Sequence, residues 1–301
     1  MKAMLNRLPN KVLLFVLSVT TLLLTACSMP KELDENEDIA RQVANTPGMI
    51  QNHVLYISGP DGDFKLHYAS SDPSKMSRHT VVFVHGTPGD RSSFARYFQN
   101  VTLKDRFRLI SIDRPGWGIS TYAGHYPTEL QKQSSQIGLM LKNIWEQNGQ
   151  QKIILVGHSL GGSLVPILAA DYPQYVRGVV IVAGDLSPTL AEGRWYNTLL
   201  DWTPDFLIPD KWNNSNKEVL ALSQSLANAQ TTLSGLKVPI TLLQGTEDTL
   251  VDPENATFAS QLFQHSEIKI DRIQDAGHLL HLQYPNRVID AIEDVNSRSL
   301  P

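Results

Sequence analysis

Apolar residues in this chain fall into short runs separated by amphipathic segments. Two strand candidates come first, His53 to Ser58 and Phe64 to Tyr68, divided by Gly59-Pro60-Asp61-Gly62, whose turn chemistry predicts a hairpin. Val81 to Val84, Arg108 to Ile112, Lys152 to Val156, Gly178 to Val182, Ile240 to Leu243 and Ile268 to Ile273 follow, β-branched or aliphatic and mostly without polar alternation. Such runs suit strands covered on both faces. Between them, Ser92 to Gln99, Thr128 to Gln147, Leu160 to Ala170, Pro253 to Phe263 and Arg287 to Asn296 read as helices. The alternation predicts an α/β fold with a mostly parallel sheet of the eight-stranded type, flanked by helices.

One stretch, from about Leu186 to Leu236, interrupts the alternation and is too long for a loop. It carries Trp195, Tyr196, Trp202, Phe206 and Trp212, and Pro204 and Pro209 break it into pieces. A small helical cap is expected there. Its aromatics either line a substrate pocket or form the cap's own core.

Composition narrows the class. With 42% hydrophobic and 19% charged residues, 301 residues suffice for one globular domain, expected over 50–301. A net charge of -4 leaves no basic excess for a phosphate-binding surface, so nucleic acid is not an expected partner.

The single cysteine, Cys27, rules out an intrachain disulfide and a thiolate metal cluster. Lys2, Arg7 and Lys11 precede an apolar run, Val12 to Leu24, that is short for a membrane span, which is the pattern of an export signal over 1–26. Leu24-Thr25-Ala26-Cys27 resembles the lipobox of bacterial lipoproteins. The resemblance implies that Cys27 becomes the acylated first residue of the mature protein, anchored in the cell envelope. Ser28 follows it rather than aspartate, which in enteric-type lipoproteins favours the outer membrane. Residues 27–49 are polar and acidic and read as a tether; a short helix over Glu35 to Val43 lying on the domain is the alternative.

Chemistry concentrates in Gly157-His158-Ser159-Leu160-Gly161, directly after one strand candidate and before a helix candidate. This is the arrangement of a nucleophile elbow, in which a sharp strand-to-helix turn lifts a serine hydroxyl above the sheet edge, beside the helix N-terminus. The backbone N–H of Leu160 is then one oxyanion donor. Val84-His85-Gly86-Thr87-Pro88-Gly89, after the third strand candidate, offers the N–H of Thr87 as the other.

With these motifs in view, the chain resembles the α/β-hydrolase superfamily from about Asn52 onward, especially its capped branch with a His-Gly-x-Pro loop. Asp113-Arg114-Pro115-Gly116-Trp117-Gly118-Ile119-Ser120 is similar to that branch's Asp-x-x-Gly-x-Gly-x-Ser segment and reads as structural, with Trp117 a candidate pocket wall. Trp195, Tyr196 and Trp202 are further pocket candidates. The resemblance implies an acid after the seventh strand candidate, where Gly245-Thr246-Glu247-Asp248 supplies Asp248, and a base after the eighth, where Ala276-Gly277-His278 supplies His278. Asp185, after the preceding strand, is the rival acid. His281, His85 and His158 read as packed or turn residues. The order Ser159, Asp248, His278 is that of α/β-hydrolases.

A serine hydroxyl needs a base, and the base needs a partner that fixes its tautomer. The expected reaction is therefore hydrolysis of a carboxylic ester through an acyl-enzyme, on a small acyl substrate and with no cofactor or metal. Amide or prolyl-peptide, lactone, thioester and carbon-carbon bond cleavage remain open on the same fold, as does a noncatalytic envelope-scaffold role.

Overall fold

The computed structural model describes residues 30–59, 61–71 and 78–299; the apolar run and Cys27 lie outside them. Eight strands form one sheet: β1 Gln51–Ile57, β2 Phe64–Ser70, β3 His79–Val84, β4 Phe107–Ile112, β5 Ile153–His158, β6 Val176–Val182, β7 Ile240–Gly245 and β8 Ile268–Ile273. Their spatial order is β1-β2-β4-β3-β5-β6-β7-β8. β2 runs antiparallel to β1 and to β4, and all other pairs are parallel. The chain steps from β3 outward to β4 and then back across to β5, so the connections leaving β3 and β5 run toward opposite edges of the sheet. Open α/β sheets place their ligands in the crevice at such a switch point.

Successive residues of a strand face opposite sides, so each central strand must be apolar throughout to serve two layers. Val82 and Val84 of β3 join Ile110 and Ile112 of β4 in a core shared with α4 (Leu130–Gln147), α5 (Leu160–Asp171) and the end of α7 (Asp210–Ser234). Val81, Phe83 and Leu109 face the other way, toward α2 (Ala95–Gln99) and α10 (Pro285–Arg298). The remaining helices are α1 (Lys31–Asn45), α3 (Val101–Arg106), α6 (Trp195–Asp201), α8 (Asn255–Leu262) and the short α9 (Leu280–Gln283). None of the helices among the described residues is long and apolar enough to cross a membrane.

Two segments differ from expectation. Most of the acidic stretch read as a tether is α1, laid on the domain: Val43 is buried in the core with Phe94 and Phe98, and Asn36 donates to the Ser92 carbonyl at 3.1 Å. The alternative of a docked helix holds, and is longer than expected. Its core-facing apolar positions, Ile39, Ala40 and Val43, fall at helical spacing, a signal that surrounding charge obscures. Between β6 and β7 lie α6, a 3-10 turn at Asp205–Leu207 and the 25-residue α7. Leu226, Ala229 and Leu233 in the second half of α7 belong to the main core.

Candidate active site

Ser159 sits between β5 and α5 with φ 56° and ψ −126°, a conformation that costs a non-glycine residue on the order of 1–3 kcal/mol. The glycines around it serve close approach. A Cβ on Gly157 would overlap the Gly161 carbonyl, and one on Gly161 would overlap the carbonyls of Val84 and His85. α5 can therefore pack against the ends of β3 and β5 only if both positions are bare. On the opposite side, a Cβ on Gly86 would lie 2.8 Å from the Ser159 Cβ, so the His85–Gly86–Thr87 loop passes immediately beside the serine. Leu160 is the first residue of α5, so its N–H has no acceptor within the helix.

His278 lies beyond β8, and its Nδ1–H donates to Asp248 Oδ2 at 2.8 Å. The other oxygen, Oδ1, accepts from the N–H groups of Leu250 and Val251, both at 2.9 Å. Burial works to raise the Asp248 carboxyl, but the His278 partner and these N–H groups outweigh it and hold the group below the usual carboxylate range. An ionised Asp248 fixes the tautomer of His278 and leaves Nε2 as the free, basic nitrogen. Asp185 does not reach His278. It accepts from the Asn255 side chain at 3.0 Å, and burial pushes its carboxyl up to about 7. Of the two acid candidates, the structure brings Asp248 to the histidine.

Behind the Gly86 loop lies a buried charged cluster that sequence reading passed over. Arg114 forms a two-pronged pair with Glu218 of α7, Nη1 to Oε1 at 2.8 Å and Nη2 to Oε2 at 3.1 Å. Arg114 also donates to the carbonyls of His85 and Gly86 at 3.0 and 2.9 Å. Glu218 Oε1 further accepts from Trp117 Nε1 and the Tyr126 hydroxyl, at 2.9 and 3.0 Å. Burial alone would raise the Glu218 carboxyl, but the Arg114 charge and these donors hold it low. His85 completes the arrangement: its Nε2 accepts from the Arg114 N–H at 3.0 Å and its Nδ1–H donates to the Gly86 carbonyl at 2.7 Å. Burial and the Arg114 charge lower its pKa to about 4, so the ring is neutral, as these bonds require. Arg114 stands in a motif the sequence flagged, but no spacing connects it to Glu218, 104 positions away.

Ser159, Leu160, Thr87 and His278 open into one cleft of about 480 Å³. Leu190, Ala191, Tyr196, Trp212, Val219 and Leu222 supply its apolar wall from the cap side. Among the pocket candidates, Tyr196 lines the cleft. Trp117 does not: its ring is buried behind the His85–Gly86–Thr87 loop, tied to Glu218. Trp195 and Trp202 point to solvent, because α6 turns those positions outward, and Trp212 takes a place at the cleft instead. His158 packs on His281 with ring centroids 3.7 Å apart and donates from Nε2 to the His278 carbonyl at 3.0 Å. Burial drives the pKa of His158 down to about 3, so it is a neutral brace for the His278 backbone.

A family model described as the alpha/beta hydrolase fold matches residues 79–219. A 2-hydroxy-6-oxononadienedioate/2-hydroxy-6-oxononatrienedioate hydrolase of Paraburkholderia phymatum is 27% identical over 144 residues, 47% of this chain and 47% of the relative. The sn-1-specific diacylglycerol lipase of Mus musculus is 24% identical over 252 residues, covering 70% of this chain and 79% of the relative. The chain spans less than half the length of the first curated relatives it matches. Among solved structures, a thermophilic esterase from Thermogutta terrifontis superposes with a TM-score of 0.61 at 19% identity, covering 82% of this chain and 99% of the esterase. At that identity the likeness speaks for the fold alone.

Proposed function

We propose that this chain, whose fold is that of the α/β hydrolases, is a serine hydrolase that cleaves a carboxylic ester through an acyl-enzyme. The observation that carries the reading is the meeting, in one cleft, of Ser159 on a strained elbow and His278 hydrogen-bonded to a buried Asp248. His278 Nε2 takes the Ser159 proton as Oγ attacks the carbonyl carbon, forming a tetrahedral oxyanion. The N–H groups of Thr87 and Leu160 are the donors placed to receive that charge. Collapse expels the alcohol, protonated by His278, and leaves the acyl group on Ser159. Water, deprotonated by His278, then releases the acid. Asp248 holds the ring and stabilises the imidazolium in both halves.

The apolar wall of the cleft supports a hydrocarbon acyl or alcohol group. The diacylglycerol lipase among the similar proteins points to the same bond class. With Cys27 as the acylated residue, the enzyme works at the bacterial cell envelope, at the outer membrane by the residue that follows the cysteine.

Hydrolysis of p-nitrophenyl esters of graded chain length by the wild-type chain and by Ser159→Ala tests the reading, with fluorophosphonate labelling in parallel. Turnover confined to wild type is expected. Equal turnover in both chains rejects the role of Ser159, and a serine that fails to label rejects catalysis by this site.

A further inference from the structure

We propose that the cap docks on a lipid bilayer with the mouth of the cleft turned toward it, so that the ester is taken from the membrane itself. The cap face is apolar and uncovered to a degree that isolated surface residues do not explain: Trp195 is 76% exposed, Trp202 79%, Phe206 86% and Leu207 63%. These four fall within thirteen consecutive residues of α6 and the 3-10 turn, and they are not packed into the cap's own core. Contiguous exposed apolar surface marks an interaction site, and tryptophan in particular favours the boundary between water and lipid. The patch also borders the active site. Trp212, itself half exposed, and Leu250, 61% exposed, both line the cleft that holds Ser159.

What covers this face is indicated by the chain upstream of it. Leu33, in the first turn of α1, lines the same cleft, and Glu32 accepts from the Gln283 side chain at 3.1 Å, so the start of α1 is held at the mouth. Cys27 precedes Leu33 by six residues, which at full extension span roughly 20 Å. This step rests on the reading of Cys27 as the acylated residue. Acyl chains on it enter a bilayer within that distance of the mouth, which Leu33 shares with Tyr196 and Trp212 of the cap. The membrane is therefore the surface that the anchor itself delivers to the patch, whereas a protein partner has no such argument.

The test uses the full chain, extracted in detergent from the membranes in which it is made and reconstituted into phosphatidylcholine/phosphatidylglycerol vesicles whose acyl chains carry bromine. Bromine quenches only tryptophans that reach the lipid. A roughly twofold loss of tryptophan emission is expected, and it should disappear when Trp195, Trp202 and Trp212 are all replaced by Phe, since Trp117 and Trp145 remain inside the domain. The double variant Phe206→Ser with Leu207→Ser should hydrolyse an ester embedded in the vesicle about tenfold more slowly, while its rate on a soluble short-chain ester stays within about twofold of wild type. Absent quenching, or quenching that persists without the three tryptophans, overturns the proposal, as does a parallel fall in both rates. The mass of the N-terminal peptide reports the anchor separately. An unmodified Cys27 overturns the anchor and the inferred orientation together, whereas an acylated Cys27 without quenching overturns docking alone; fluorophosphonate labelling of Ser159 reports the serine-hydrolase reading independently of both.

Discussion

Glu218 reaches from the cap helix α7 to Arg114 at 2.8 Å, and neither side chain is exposed to solvent. Because Arg114 also holds the carbonyls of His85 and Gly86, one ion pair joins the cap to the loop beside Ser159. The cap is thus fastened at its root, near the Gly86 loop, while its outer aromatic face is exposed.

Glu218→Gln removes the charge that balances a guanidinium with no access to water. Breaking one side of a buried pair costs about 3–5 kcal/mol, since the partner charge is left stranded. Lys217, the neighbour on α7, pairs with Asp205 at the surface, and Lys217→Gln should cost under about 1 kcal/mol. Urea unfolding of the two variants measures the contrast. Comparable losses would mean that the buried pair contributes no more than the exposed one.

The strain at Ser159 makes a prediction that does not depend on catalysis. At φ 56° an alanine keeps the cost and a glycine escapes it, offset in part by the greater chain entropy that glycine loses on folding. Ser159→Gly should be more stable than Ser159→Ala by about 1 kcal/mol, with both expected to lose activity. Denaturant midpoints of the two proteins decide it, and an alanine variant at least as stable as the glycine variant would show that the elbow stores no strain.

Asp248 and Asp185 can be separated kinetically. With Asp248→Asn the amide can donate to Nδ1 and so select the wrong tautomer of His278, which in serine triads costs about 10⁴-fold in kcat. Asp185→Asn leaves the His278–Asp248 bond intact and should stay within about tenfold of wild type. Single-turnover rates on one soluble ester distinguish them, and the reverse ranking would reassign the acid.

Much of this architecture was legible because buried parallel strands must be apolar on both faces, and that signature survives in any sequence that forms them. All eight strands lie where the runs placed them, with ends shifted by a few residues. Ser159, Asp248 and His278 were singled out from turns at strand ends, where local chemistry is dense: Gly157 and Gly161 are bare because backbone presses against them, a constraint written at the site itself. Local patterns fail where the cause is distant. Glu218 looks like any charged residue on a helix until the fold brings Arg114 to it. Which cap aromatics face the cleft depends on how α6 and the start of α7 sit, and so Tyr196 and Trp212 line it whereas Trp195 and Trp202 do not. The acidity of 31–45 suggested a tether because the apolar stripe of α1 is only one residue wide at each turn.

That stripe makes α1 part of the folded unit. Val43→Ala removes two methyl groups from a buried position, an expected loss of about 1–2 kcal/mol from transfer and residual cavity. Glu37→Gln, on the exposed face, should change stability by under about 0.5 kcal/mol. Thermal melts of the two variants check the assignment. If Val43→Ala proves silent, α1 contributes no stability to the domain.

Asp185 carries a pH dependence whose sign is set by burial. Its carboxyl titrates near 7 in the folded protein and at the ordinary 3.8 in the unfolded chain. Between those values the folded state holds a proton that the unfolded state has released, so stability falls as pH rises through the window. The contribution is fully present below about pH 4 and gone above about pH 7, and a shift of this size corresponds to on the order of 4 kcal/mol. Asp185→Asn lacks the group altogether, so it should gain stability relative to wild type across that range. Asp248, whose carboxyl is lowered, acts in the opposite sense at more acid pH and is common to both chains, so it cancels in the difference. Urea unfolding of both proteins at pH 4.5, 6 and 7.5 gives the curve. A stability gap that stays constant with pH would mean that Asp185 is ionised throughout, with its charge balanced inside the cleft by His278 or by the Asn255 amide.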